Sequence, residues 1–109
     1  MAMDMEKLLQ QVGQMQEQMQ RAQDELKQQT VDASAGGGMV SVTASGAGEI
    51  KHIKIDPKAI DPSDPELLAD MVLAAVNEAI RSAEKLKEAK LGGLAGGALG
   101  GLGLPGLGQ

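Results

Sequence analysis

The sequence predicts an α+β fold in which a long helix, a three-stranded antiparallel sheet and a second long helix follow one another. Three observations lead to this prediction. Apolar residues first recur every three or four positions, then alternate with polar residues between glycine-rich turns, and return to helical spacing after a group of prolines. We expect residues 1–90 to form one domain and residues 91–109 a flexible tail.

The composition limits what this domain can be. Its 109 residues include no Phe, Trp, Tyr or Cys, although 42% are hydrophobic. A core of aliphatic side chains alone buries little area, so a single chain is expected to be marginally stable. Without Cys there is no disulfide, thiol nucleophile or Cys-based metal site, which suits a reducing cytosol. The acidic start, with Asp4 and Glu6, is unlike a secretory signal and favours a cytoplasmic protein.

Charge is unevenly distributed along the chain. The chain contains ten Lys and Arg residues and 15 Asp and Glu residues, which gives a formal net charge of −5. This total argues against general attraction to nucleic acid or to an anionic membrane. Five acids and one base lie between Asp56 and Asp70, giving −4 there, so the rest of the chain sums to only −1.

The first helix is predicted over residues 3–29 by a heptad seam. Its apolar residues are separated alternately by three and four positions, as in a coiled coil: Met5, Leu8, Val12, Met15, Met19, Ala22 and Leu26. Such a helix is about 40 Å long. A compact domain of this size has a radius of gyration of about 13 Å. We therefore expect the helix to project from the domain or to pair with another chain.

Three strands are predicted over residues 30–35, 40–45 and 49–55. Gly36, Gly37 and Gly38 can supply the positive φ angles of a tight connection between the first two. In the third strand Ile50 is out of phase with Ile53 and Ile55. Either a β-bulge near Lys51 restores the phase, or Ile50 faces solvent.

The second helix is predicted to start with Asp64 as N-cap and Pro65 as its first residue, and to end at about Lys90. Its apolar face is broad enough to pack on the sheet and on a further neighbour. The following tail is uncharged and contains nine Gly and six Leu. Its Gly-x-x-x-Gly spacing also occurs in membrane helices, but the glycines and Pro105 make a poor helix, so we expect no membrane association.

Residues suited to catalysis or to metal binding are few. His52 is the only His. It lies on a predicted strand between Lys51 and Lys54, so we expect an exposed polar residue there and not a catalytic base. The glycines of the hairpin lack the Gly-Lys-Ser/Thr that completes a phosphate loop. Helix capping and turns account for the acids around the prolines. We expect no enzymatic activity, no cofactor and no metal site.

A group of basic residues marks the end of the second helix. Arg81, Lys85, Lys87 and Lys90 outnumber the acids there, and antiparallel helices would bring Lys7 nearby. From the residue pattern alone, an ordinary solvated helix face is the favoured interpretation.

The whole order of features resembles the YbaB/EbfC family of bacterial nucleoid-associated proteins. The resemblance spans residues 5–109 and is carried by SAGGGMVSVTASGAGEIKHIKIDP and AIDPSDPELLADMVLAAVNEAIRSAEK. It implies a two-fold homodimer whose paired helices protrude as arms. It further implies cytoplasmic, nucleoid-associated double-stranded DNA binding with little sequence preference, which organises the nucleoid and influences gene expression.

The resemblance also changes the interpretation of the basic residues. It makes Lys7, Arg81, Lys85, Lys87 and Lys90 the first candidates for contact with DNA phosphates. Arg21 and Lys27 are second candidates because they are expected nearer the sheet. An alternative, favoured by the net acidity and the heptad seam, is a module that binds a recombination or replication protein without touching DNA.

Overall fold

The computed structural model describes the backbone of residues 2–101 and the side chains of residues 4–94. The elements follow in the predicted order: α1 (Ala2–Gln28), β1 (Thr30–Ala35), β2 (Val40–Ser45), β3 (Ile50–Ile55), a short 3-10 helix (Pro57–Ala59) and α2 (Pro65–Gly101). This confirms the predicted α+β class. The molecule measures 75 × 27 × 16 Å, and its radius of gyration is 20.6 Å because both long helices extend past the sheet.

The sheet is an antiparallel meander with the order β1-β2-β3. Its first connection contains three consecutive glycines whose φ angles are +64°, +68° and +92°. Side chains of L residues rarely tolerate such angles, so glycine is required there. The prediction of a glycine-dependent hairpin is therefore confirmed.

The third strand contains the predicted β-bulge. Thr43 of β2 lies opposite His52, whereas the next residue, Ala44, lies opposite Ile50. Lys51 is thus the extra residue of the bulge. The bulge turns Ile50 towards the core, where it is half-buried and packs on the central cluster. Of the two alternatives for Ile50, the bulge is correct and solvent exposure is wrong.

The core lies between the inner face of the sheet and the first half of α2. It consists of three residues of the central strand and three alanines of the helix: Val40, Val42, Ala44, Ala75, Ala79 and Ala83. The alanines recur every four residues, so they form one stripe along the helix. Such small side chains let the helix backbone approach the sheet closely. The buried groups are correspondingly small, as expected for a sequence without aromatic residues.

The start of α2 is as predicted, and its end is not. The Asp64 side chain accepts a hydrogen bond from the backbone N–H of Leu67 at 3.3 Å, which makes it the N-cap. The helix then continues past Lys90 to Gly101 and includes the first part of the predicted tail. Leu91 and Leu94 border clefts that α2 forms with α1, so the helix continues beside α1 despite the low helix propensity of glycine. Residues 102–109 of the predicted tail lie outside the described residues.

Among the side chains described from residue 4 onward, those of α1 that are buried lie near its C-terminal end. Leu26 and Ala22 are buried, and Leu26 packs against Gly46 at the end of β2. A Cβ atom at Gly46 would lie 2.9 Å from the backbone oxygen of Leu26, so only glycine allows this approach. Towards its N-terminus α1 projects from the domain, as its length predicted. Over residues 2–101, neither helix has a stretch long and apolar enough to cross a membrane.

Candidate nucleic-acid interface

The two long helices run antiparallel beside each other. Leu26 and Leu86 meet at Gly46, and Glu25 contacts Lys90. Farther from the sheet, Gln18 and Arg21 line one cleft together with Gly93 and Leu94. With increasing distance from the sheet, residue numbers therefore decrease along α1 and increase along α2. This pairing sets the height of every basic side chain above the sheet.

Arg81 and Lys85 share one exposed face of α2. They are four residues apart, which places them on neighbouring turns of the same side. The guanidinium of Arg81 donates hydrogen bonds to Glu78 at 2.7 and 3.1 Å. These bonds, together with the positive charges of Arg81 and Lys85, lower the pKa of Glu78. The charged carboxylate partly neutralises this face.

Lys87 and Lys90 point elsewhere. Successive residues of an α-helix are about 100° apart, so Lys87 lies about 160° around the helix from Lys85. Lys87 borders a cleft with Met19 of α1. Lys90 turns towards α1 and forms an ion pair with Glu25 at 2.5 Å, and its side chain is largely covered. The four predicted cations of α2 therefore occupy different sides of the helix rather than one surface.

The three cations of α1 lie at different heights. Lys27 is beside the sheet, and Arg21 lines the cleft that contains Lys90. Lys7 is 18 residues from Glu25, about 27 Å along the axis at 1.5 Å per residue. The expectation that Lys7 and the basic part of α2 share one end of the arm is wrong, because α2 continues beyond Lys90. Arg21 and Lys90 lie at about the same distance from the sheet, because both line the same cleft, so Arg21 is not nearer the sheet as expected.

Further basic residues lie on β3, outside the predicted set. Lys51 and Lys54 are exposed, and the chain around them, IKHIKI, contains three basic side chains. His52 between them is exposed, as predicted. Lys51 lies 3.6 Å from Glu49, which balances its charge. On the same sheet, the Thr43 hydroxyl donates a hydrogen bond to Asp32 at 2.6 Å.

The acids between the strands and α2 serve local structure. Asp56 accepts a hydrogen bond from the N–H of Lys58, and Asp61 accepts bonds from both the N–H and the hydroxyl of Ser63. The latter bonds lower the pKa of Asp61. The interpretation of these residues as caps and turn formers is confirmed. Among the side chains of residues 4–94, no group of three potential metal ligands comes together.

The ion pair between the helices predicts a measurable titration. The hydrogen bond and the positive charge of Lys90 lower the pKa of Glu25 below its usual 4.5. We expect Lys90→Gln to return this pKa towards 4.5, as measured by NMR titration of the carboxyl carbon. The pair stabilises the fold above that pH, and its contribution is lost as the pH falls through the lowered pKa. Lys85→Gln is the control, because Lys85 does not contact Glu25; an equal shift there would contradict the assignment.

Comparison with known proteins decides the family. The sequence profile of the YbaB/EbfC DNA-binding family matches residues 1–98. The chain belongs to this family. A protein of Saccharopolyspora erythraea named nucleoid-associated protein is 49% identical over 109 residues, covering 95% of this chain and 94% of its own. Equally named proteins of Streptomyces griseus and Acetivibrio thermocellus are each 51% identical, covering 95% and 92% of this chain and 91% and 86% of their own.

A solved structure shows the same fold for this YbaB/EbfC member. The crystal structure of an uncharacterized protein from Helicobacter pylori superimposes with a TM-score of 0.72 at 23% identity. The match covers 81% of this chain and 92% of the other. The family profile over residues 1–98 confirms the resemblance seen in the hairpin and in the start of the second helix, and this structure confirms the fold.

Proposed function

We propose that this chain is a homodimeric nucleoid-associated protein that binds double-stranded DNA with little sequence preference. The proposal rests on family membership over residues 1–98. Its place is the bacterial nucleoid, where it organises DNA and influences gene expression. The relatives named nucleoid-associated protein support the same conclusion. Enzymatic activity has no part in this proposal.

The exposed apolar side chains support the dimer. Leu73 and Ile80 are seven residues apart on one side of α2, and 60% and 39% of their surfaces are exposed. Ile53 of β3 is 42% exposed although it lies on the inner face of the sheet. Contiguous exposed apolar groups mark interaction sites in small proteins, and Leu73 and Ile80 lie on the same side of α2. A second copy that covered them would also compensate for the small core of the single chain.

The cations of the two helices form the proposed DNA surface. Arg81 and Lys85 are its centre, because they are exposed on one face of α2. Lys87, on the opposite side of α2, and Lys7, farther along α1, are proposed as separate contacts outside this face. Lys90 contributes only after leaving Glu25, and Arg21 and Lys27 are secondary contacts. Because contacts to phosphates carry no sequence information, this surface fits binding with little preference.

The net charge sets the strength of binding. A dimer carries twice the −5 of the chain, which opposes approach to DNA as a whole. Affinity should therefore lie in the weak range of nonspecific binding, with dissociation constants of about 10⁻⁶ to 10⁻⁴ M. Binding should also weaken steeply with salt, with a logarithmic slope of about −0.9 per phosphate contacted.

Light scattering combined with a DNA titration tests the proposal. We expect twice the mass of the chain in solution, and equal affinity for two duplexes of equal length and unrelated sequence. Affinity should fall along the salt slope given above. A monomer, or affinity independent of salt, would contradict the proposal. Retention of a protein from nuclease-treated lysate without any DNA binding would favour the alternative role as a protein-interaction module.

A further inference from the structure

A cleft between α1 and α2 holds two cations and one carboxylate. Its α1 side includes Gln18, Arg21 and Glu25, which are spaced by three and four residues and therefore share one side of the helix. Lys90 lines the cleft from α2. The volume of the cleft is about 390 Å³, and its charged side chains, two positive and one negative, sum to +1. The cleft is therefore locally basic, although the chain as a whole carries −5.

The carboxylate in this cleft already uses the donors of the cations. Glu25 forms an ion pair with Lys90, and the charge of Arg21 acts on the same carboxylate and helps to lower its pKa. The Lys90 side chain is 22% exposed, whereas that of Glu25 is 52% exposed. The carboxylate is thus the more accessible partner of the pair. It repels an anion that approaches the cleft from solvent.

A DNA phosphate has the chemistry to replace this carboxylate. Both groups present anionic oxygens that accept hydrogen bonds from Lys and Arg, and the Gln18 amide adds uncharged N–H donors. Gly93 leaves room on the α2 side, because a Cβ atom there would meet no atom within 4 Å. The donors and the space therefore suit a phosphodiester group once Glu25 has moved away.

We propose that this cleft is a binding site for the DNA backbone and that Glu25 is its internal competitor. Arg21 and Lys90 contact a phosphate there only when the Glu25 carboxylate releases Lys90. The inference rests on the proposed function and adds to it a site between the helices and a residue that limits affinity. Glu25 thus weakens binding more than its single charge does elsewhere on the chain.

Glu25→Gln tests this competition. Glutamine keeps the size of the side chain and an oxygen that accepts hydrogen bonds, but it removes the charge. We expect affinity for a DNA duplex at low salt to rise about fivefold, because a phosphate no longer has to displace an anion from an exposed ion pair. The slope of log affinity against log salt should steepen by about 0.9 for each phosphate gained. Fluorescence anisotropy measures both quantities.

The matched control is Glu6→Gln. It removes the same charge from the same helix about 28 Å away along the axis, and Glu6 takes part in none of the ion pairs among the side chains of residues 4–94. We expect its affinity to rise less than about twofold, with an unchanged salt slope. Circular dichroism should show equal helix content in both variants, because exposed ion pairs contribute little to stability.

A second background shows whether the gain comes from the two cations. In a chain that already carries Arg21→Gln and Lys90→Gln, the change Glu25→Gln should raise affinity no more than Glu6→Gln does, because no cation remains to be released. Equal gains from the two glutamate changes, or a gain that persists without the cations, would overturn the inference while leaving the proposed function intact. Absence of DNA binding in the unchanged chain and in every variant would overturn both.

Discussion

Leu26→Ala is expected to lower the free energy of unfolding by about 3 kcal/mol, within the range of 2–5 kcal/mol for buried leucines. Leu26 is 2% exposed and is among the largest fully buried side chains described. It packs against Gly46 and joins α1 to the sheet. Truncation leaves a cavity that the surrounding backbone cannot fill, because the helix and the strand end are already in contact. Urea denaturation followed by circular dichroism measures the change.

The same helix provides the control for this prediction. Leu9→Ala makes the same chemical change at a position that is 65% exposed. We expect it to alter the free energy of unfolding by about 0.5 kcal/mol or less. Both variants must be compared at one protein concentration, since dimerisation would contribute to apparent stability. Equal decreases at the two positions would show that α1 is not anchored through Leu26.

The elements of the fold could be predicted because local signals agree with tertiary packing. The bulge is the best example. A single isoleucine out of phase left two alternatives, a bulge or solvent exposure, and the register shift of β3 decides for the bulge, because a strand covered on one face keeps its apolar residues on that face. The N-cap at Asp64 was equally readable, because its chemistry depends only on residues within one helical turn. The short 3-10 helix after β3 was missed, although Asp56 caps it in the same manner.

The end of α2 could not be predicted from local propensity. Nine glycines after Lys90 argue against a helix, yet α2 continues there with support from α1, whose residues border the same clefts as Leu91 and Leu94. That support depends on a helix about 70 residues earlier in the chain, and no local pattern contains it. The same error affected the predicted position of the site. A helix that ended at Lys90 would have its basic residues at the tip of the arm, whereas they lie partway along it.

The identities of the cations were predictable, but not their arrangement. Counting charges found Arg81, Lys85, Lys87 and Lys90, yet helical geometry spreads them around α2. Whether each cation is available to bind a DNA phosphate depends on the carboxylates with which it forms ion pairs. Glu25 holds Lys90 across the two helices, and Glu78 contacts Arg81 on one face. Neither of these two ion pairs can be inferred from the net charge of the chain.

Arg81→Glu combined with Lys85→Glu is expected to weaken DNA binding at low salt by at least about tenfold, since each change removes a cation from a phosphate and introduces repulsion. The slope of log affinity against log salt should also become shallower, by about 0.9 for each phosphate that the variant no longer neutralises. Lys87→Glu combined with Lys90→Glu should weaken binding less, because the Lys90 side chain is 22% exposed and turns towards α1, whereas the Arg81 side chain is 63% exposed although it is also paired. Fluorescence anisotropy over a range of salt concentrations measures both effects.

Lys51→Glu combined with Lys54→Glu separates the local surface from the total charge. This pair changes the net charge by the same amount, but on exposed residues of β3. If Arg81 and Lys85 contact the phosphates directly, the sheet variant should retain most of the affinity and the full salt slope, because it leaves both contacting cations in place. An equal decrease in affinity in both variants would mean that DNA responds to the overall charge, and that the face of α2 is not the contact surface.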